Sequence, residues 1–202
     1  MLTFGILASH QGSNTRAVAQ ACRDGRLDAR IGLIISNNKK SGVLAFAREH
    51  GVPCQHIGGP RFADDRVRDE AILEALQDRQ VQVLLLLGYM KLLGPRTVAA
   101  YRGRILNTHP ALLPKFGGQG MYGQHVHRAV LEAGETETGI SVHLIDEIYD
   151  HGAVLAQTPV PVEKTDTVET LTARVQAREH AFLVETLQRI ASGEIALEGL
   201  AR

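Results

Sequence analysis

Short apolar runs alternate with amphipathic stretches through the first half of the chain. Leu2 to Ala8 reads as a strand, and Ser13 to Arg23 behind it carries a helical pattern. Arg30 to Ile35 is the next strand, and Val43 to His50 a helix ended by Gly51. Cys54 to Ile57 reads as a short strand. From about Asp64 to Gln80, Val67, Ile72, Leu73 and Leu76 fall near one helical face. Val81 to Leu87 is almost wholly apolar, as a strand covered on both faces must be. A short helix near Pro95 to Tyr101 leads to one more strand, Arg104 to Asn107. Strand, helix and strand repeated in this way predict a parallel sheet. Such sheets bind ligands beyond the carboxyl ends of their strands, which directs attention to the loops near Ser9, Ser36, Gly88 and Asn107.

The second half has a different rhythm. His125 to Ala133 reads as a helix. Gly139 to Ile145 and Ala153 to Val162 are extended runs that pair as antiparallel strands, with Asp146 to Gly152 between them. Asp166 opens a long helix through an Asp-x-x-Glu cap with Glu169, and Val168, Leu171, Val175, Phe182, Leu183, Leu187 and Ile190 trace its apolar stripe. The expectation is an α/β fold: a mostly parallel, Rossmann-like sheet flanked by helices, with an antiparallel extension in the C-terminal half. No linker-like stretch divides it, so 1–202 reads as one domain with halves 1–105 and 106–202.

Composition narrows the function. The 202 residues hold 22 basic and 22 acidic side chains, and a formal net charge of zero argues against a nucleic-acid binder working through a general positive field. The N-terminus has no basic region before its short apolar run, and no run approaches the ~20 residues that span a bilayer. Cys22 and Cys54 are isolated, so reduced thiols and a cytoplasmic location are expected, with no membrane partner. No set of residues has metal-ligand spacing, and no metal is expected.

Four places carry candidate chemistry. In Leu106-Asn107-Thr108-His109-Pro110, an apolar strand runs into Asn107 and His109, which as i and i+2 face one side; Pro110 keeps His109 extended. An amide donor and a titratable imidazole at a strand end suit oxyanion stabilisation and proton transfer. The bland alternative is a strand terminus with a surface histidine. Asp146-Glu147-Ile148-Tyr149-Asp150-His151-Gly152 crowds carboxylates into a tight connection, where one beside His109 would orient the ring; a solvated turn is the alternative. His10-Gln11-Gly12-Ser13-Asn14 offers backbone N–H groups to a phosphate at a helix start, or plain capping by Ser13. Glu179 falls on the apolar stripe of the last helix and needs a cationic partner, a structural Arg or an amine ligand. Among the other histidines, His143 shares a strand face with Ser141, and His125 and His127 diverge if both are helical.

The segments Gly12-Ser13-Asn14, Gly88-Tyr89-Met90-Lys91-Leu92-Leu93, Leu106-Asn107-Thr108-His109-Pro110-Ala111-Leu112-Leu113-Pro114, Gly139-Ile140-Ser141-Val142-His143, Asp150-His151-Gly152 and Arg174-Val175-Gln176-Ala177-Arg178-Glu179-His180 together resemble the phosphoribosylglycinamide formyltransferase family, over nearly the whole chain. The resemblance implies formyl transfer from 10-formyltetrahydrofolate, a co-substrate, to the amine of glycinamide ribonucleotide in purine synthesis. It implies that Asn107, His109 and Asp150 are catalytic, with Asp150 favouring protonated His109 and ordering a water for the proton relay. Gly12, Ser13 and Asn14 would hold the phosphate, and Gln176 and Glu179 the ribose and glycinamide part. Met90, Lys91, Leu92 and Leu93, with Asp146, Glu147, Ile148, Tyr149 and Asp150, would line the folate pocket beside Asn107; Arg66 is the candidate for the folate tail. His125 and His143 are secondary candidates, Leu113–Pro114 corresponds to a cis peptide, and the partners are small molecules, with the chain a monomer or homodimer. The chain departs from better-known members in the longer, Gly-rich stretch Phe116 to Gln124 and at Asp146-Glu147. The alternatives are a formyltetrahydrofolate deformylase, which releases formate without an amine acceptor, and a non-catalytic nucleotide- or folate-binding module. A methionyl-tRNA formyltransferase would need a C-terminal barrel, and a nicotinamide oxidoreductase would need a glycine fingerprint that the first turn lacks.

Overall fold

The computed structural model describes residues 1–146 and 150–199. Seven strands form one sheet in the order β3-β2-β1-β4-β5-β6-β7. They are β1 (Leu2–Leu7), β2 (Ala29–Ser36), β3 (Cys54–His56), β4 (Val83–Leu86), β5 (Ile105–His109), β6 (Glu137–Leu144) and β7 (Val154–Pro161). β1 pairs in parallel with β2 and β4, and β2 with β3, whereas β6 and β7 are antiparallel. The fold class is the one the apolar pattern predicts. The chain divides into two compact units, Met1–Leu106 with Leu187–Arg202 and Asn107–Thr186.

In the first unit each parallel strand is followed by a helix: α1 (Ser13–Arg23), α2 (Gly42–Glu49), α3 (Asp65–Asp78) and α4 (Pro95–Ala100). Phe4, Ile6 and Leu7 of β1, Ile34 and Ile35 of β2, and Val83, Leu84 and Leu85 of β4 are fully buried, which explains why these strands read as unbroken apolar runs. α3 differs from expectation. Ile72 and Leu76 face the core, but Val67 is exposed, and the buried residue of that turn is Asp69. Its carboxylate accepts from the backbone N–H groups of Arg96 (2.8 Å) and Thr97 (3.0 Å), and so caps the first turn of α4. A carboxylate at a helix N-terminus, worth about 1 kcal/mol in typical cases, wins that position over an apolar side chain.

The second unit holds the end of β5, α5 (Gln124–Glu132), the β6–β7 hairpin and most of α6 (Val168–Ala191). β7 lies at the sheet edge, where Pro159 and Pro161 are tolerated because an edge strand has N–H groups to spare. α6 buries Leu171, Val175, Phe182 and Leu183 as its stripe predicts. Its cap is not the expected Asp166–Glu169 pair. Thr167 and Thr170 exchange backbone-to-hydroxyl bonds of 2.9 and 3.3 Å instead. Asp166 is taken by Arg174, whose guanidinium holds the carboxyl far below its ordinary range. Among the described residues, no helix is long and apolar enough to cross a membrane.

Candidate active site

The expected centre forms within the second unit. Asn107 and His109 both lie on β5, and His109 is 3% exposed, which removes the surface-histidine alternative. β6 brings His143, fully buried, against this strand end: Asn107 Nδ2 lies 3.1 Å from His143 Nε2. The other ring nitrogen, Nδ1, is 2.9 Å from the Leu144 carbonyl. A carbonyl only accepts, so Nδ1 carries the proton, and Nε2 presents a lone pair to the Asn107 amide. That amide is therefore held with one N–H on His143 and the second free to turn outward. Burial pushes the His143 pKa down, against an opposing pull from the Leu144 carbonyl and Asp150, so the ring is neutral at pH 7.

Asp150 completes the cluster. Its Oδ2 is 3.5 Å from His109 Nδ1, and its Oδ1 is 3.5 Å from His143 Nε2. The second distance is a contact and not an ion pair, because neutral His143 has no proton on that nitrogen. Asp150 sits at φ +53°, a left-handed conformation that costs a non-glycine residue energy and so marks a position dictated by its surroundings. Its Oδ2 also accepts from the Gly118 N–H at 3.0 Å, and His109 Nε2 lies 2.7 Å from the Phe116 carbonyl. Asn107, His143, Asp150 and His109 thus form a continuous chain of contacts: an amide donor, a neutral imidazole, a carboxylate and a second imidazole.

Ser141, which shares its strand face with His143, and Gln157, which carries no sequence signal, explain why the strand end stays put. Ser141 Oγ donates to the Ala111 carbonyl (2.6 Å) and accepts from the Leu113 N–H (3.0 Å). Gln157 on β7 donates to Ser141 Oγ (2.8 Å) and the Leu113 carbonyl (2.9 Å). The turn after His109, which includes the cis Leu113–Pro114 bond, is therefore pinned to the hairpin. His127, set aside in the sequence as diverging from His125, is the inward one of that pair. It is 2% exposed, and burial first, then the nearby charge of His109, lowers its pKa. Its signal was present: Val126 and Val130 mark the inward face of α5, and His127 stands beside them. His125, by contrast, is exposed and meets Tyr122 edge to face at 5.2 Å. Asp146 pairs with His151 on the surface, while Glu147, Ile148 and Tyr149 lie outside the described residues. Glu179 is buried on α6, and Gln176 one turn before it is exposed.

The first unit carries the other expected groups. Gly12, not Ser13, is the N-cap of α1, at φ +69°, and a Cβ there would lie 2.6 Å from a Val43 methyl. Only glycine fits that turn. α1 follows with Ser13 and Asn14 in its first turn, where helix amides have no intrahelical acceptors and the dipole favours an anion. At the end of β4, the Met90 N–H donates to Ser9 Oγ (2.8 Å), and Ser9 Oγ donates to Asn37 Oδ1 (2.6 Å), so three strand-end loops are stitched together. Beyond this tie Met90 and Leu92 stand exposed, 47% and 63%, as apolar side chains facing solvent. Arg66 is exposed and pairs with Glu70 at 3.4 Å.

Known proteins resemble this chain along most of its length. The model of the Formyl transferase family matches residues 3–187. The chain is 39% identical to the chloroplastic phosphoribosylglycinamide formyltransferase of Arabidopsis thaliana over 95% of its own length, and spans 66% of that relative, just under two thirds. It is 32% identical to the phosphoribosylglycinamide formyltransferase of Haemophilus influenzae, covering 98% of this chain and 91% of the relative. The crystal structure of glycinamide ribonucleotide transformylase 1 from Symbiobacterium toebii superposes with a TM-score of 0.90 at 35% identity, over 98% of this chain and 92% of that one.

Proposed function

The chain belongs to the formyl transferase family, among the phosphoribosylglycinamide formyltransferases, and from that membership we propose that it moves the formyl group of 10-formyltetrahydrofolate to the amine of N1-(5-phospho-D-ribosyl)glycinamide, a step of de novo IMP synthesis. The observation that carries this reading is the contact chain Asn107–His143–Asp150–His109.

The reaction is acyl transfer between nitrogens. The amine attacks the formyl carbon, and negative charge develops on the formyl oxygen. The bond to folate N10 then breaks as a proton passes from the amine to that nitrogen. Asn107, with one N–H held by His143, offers its second to the oxyanion, and protonated His109 adds a positive charge beside it. A buried donor already aimed at the developing charge is worth about 3–4 kcal/mol in comparable oxyanion holes. Asp150 accepts the amine proton, directly or through one water, and returns it to N10. Gly12, Ser13 and Asn14 hold the phosphate, and Gln176 and Glu179 the ribose and glycinamide part. Met90, Lys91, Leu92 and Leu93 in the first unit and Asp146 and Asp150 in the second are proposed as folate contacts, with Arg66 for the folate tail.

The test is folate deacylation followed with and without glycinamide ribonucleotide. A transferase consumes 10-formyltetrahydrofolate only when the acceptor is present. Equal consumption without acceptor, with formate released, makes the chain a deformylase; no consumption in either arm makes it a binding module.

A further inference from the structure

The same short stretch of backbone touches both His109 and Asp150. Phe116 points its carbonyl at His109 Nε2 from 2.7 Å, and Gly118 donates its N–H to Asp150 Oδ2 at 3.0 Å. That Oδ2 is also the atom 3.5 Å from His109 Nδ1. From this geometry we infer that the Phe116–Gly118 backbone positions the catalytic pair, fixing His109 with its proton on Nε2 and its Nδ1 turned to the carboxylate that Gly118 holds in place. The inference deepens the transferase reading and rests on it for its consequence in turnover.

Each residue of the stretch has a physical reason to be where it is. Phe116 sits at φ +56°, in the left-handed region that side-chain-bearing residues avoid. That conformation delivers its carbonyl to the ring. Gly117 has no room for a side chain: a Cβ would stand 2.5 Å from a Leu113 methyl and 3.3 Å from Asp150 Cβ. Gly118 is at φ +98°, open to glycine and strained for anything else. A carbonyl cannot donate, so the 2.7 Å contact requires N–H at Nε2. In neutral His109 the Nδ1 lone pair is then the site that takes up a proton, beside a carboxylate. The Nε2–H tautomer therefore loads and unloads its second proton on the Asp150 side, where the relay needs it. Without the Phe116 carbonyl the proton could sit on Nδ1 instead and break that order. The clamp is made of backbone groups, and no side chain in it needs to touch substrate.

The full chain, labelled with 15N in its histidine rings, reports the tautomer directly by long-range proton–nitrogen correlation at about pH 8.5, two units above the ordinary histidine value. The His109 signals are assigned by their loss in His109→Gln. The expected result is a protonated Nε2 and an unprotonated Nδ1; the reverse pattern overturns the proposal. Turnover gives the second readout. Phe116→Val, whose β-branched side chain disfavours the left-handed conformation, and Gly118→Ala are expected to lower kcat about 10- to 100-fold with KM for both substrates little changed, and to shift the pH–rate profile. Phe116→Gly, which adopts that conformation freely and keeps the carbonyl, retains most of kcat. Unchanged kcat in both Phe116→Val and Gly118→Ala also overturns it. Wild-type protein that shows Nε2–H but transfers no formyl group overturns the transferase reading and leaves the clamp standing.

Discussion

The two units bury different kinds of polar group. In the first, the buried polar residues are Thr3, Ser9, Thr15, Ser36, Ser41, Asp69 and Thr97, and of these only Asp69 is an ionisable side chain. Its charge is consumed by the first turn of α4. In the second, His109, His127, His143 and Glu179 are all buried, a concentration of titratable groups that no folding requirement explains. Burying an ionisable side chain costs several kcal/mol unless partners restore what water supplied. The first unit avoids that cost and builds a scaffold of apolar strands whose loops present backbone N–H groups and exposed apolar side chains. The second accepts it, and the partners that make it tolerable are the groups chemistry needs. Two of the buried histidines, His109 and His143, meet the same carboxylate, Asp150, and that arrangement is the basis for proposing the reacting centre there.

The largest expected effect breaks the comparison on the side of chemistry. His109→Ala is expected to lower kcat by about 100-fold or more while glycinamide ribonucleotide still binds, measured by steady-state turnover beside calorimetric titration. Near-normal turnover would make the buried imidazoles structural. His143→Leu comes next. It fills the space with an apolar side chain but takes the acceptor from Asn107, so it should cost about 1–3 kcal/mol in urea unfolding and also lower kcat. Asp69→Ala is the counterpart in the first unit. It should cost about 0.5–2 kcal/mol by the same unfolding measurement and leave kcat unchanged, because Asp69 serves only α4. A kcat loss there would erase the distinction between scaffold and site.

The smallest effect is the pH dependence of stability. The pKa values of His127 and His143 are lowered in the folded state, chiefly by burial. The unfolded chain therefore takes up protons first as pH falls. The stability these two rings contribute is complete above the unfolded value of about 6.5 and is lost as the pH drops from there toward the folded values. The urea midpoint should fall between about pH 7 and pH 5, and fall less in His127→Gln. An equal fall in that variant would show that His127 titrates as it does in the unfolded chain.

How much of this was legible in the sequence depended on the range of the interaction. The strands and helices were, because β1, β2 and β4 are buried on both faces and say so in consecutive apolar residues. Asn107 and His109 were, because alternation along one strand places both on one side. What escaped depends on partners far along the chain. Asp69 looks like any polar helix residue until α4 delivers its N-terminus 27 residues later. Val67 looks apolar enough for the core but loses the inward position to that carboxylate. Thr167 and Thr170 took the cap that Asp166 and Glu169 were expected to make, because Arg174 claims Asp166 from two turns up the same helix. Ser141 and Gln157 are ordinary strand residues until the turn after His109 is folded against them. Gly118 has no side chain to advertise its role.

The carboxylate at 150 is the group whose removal separates a reacting centre from a merely well-packed one. Single-turnover transfer from formyl-labelled 10-formyltetrahydrofolate to glycinamide ribonucleotide, compared between the native chain and Asp150→Asn, reads it most directly. Asn keeps the shape and can still accept from Gly118, but cannot take the amine proton. Formylated acceptor should appear rapidly in the native chain and about 100-fold or more slowly in the variant, with both substrates bound in each. Equal rates of formylated product would contradict the assignment of the proton relay to this site.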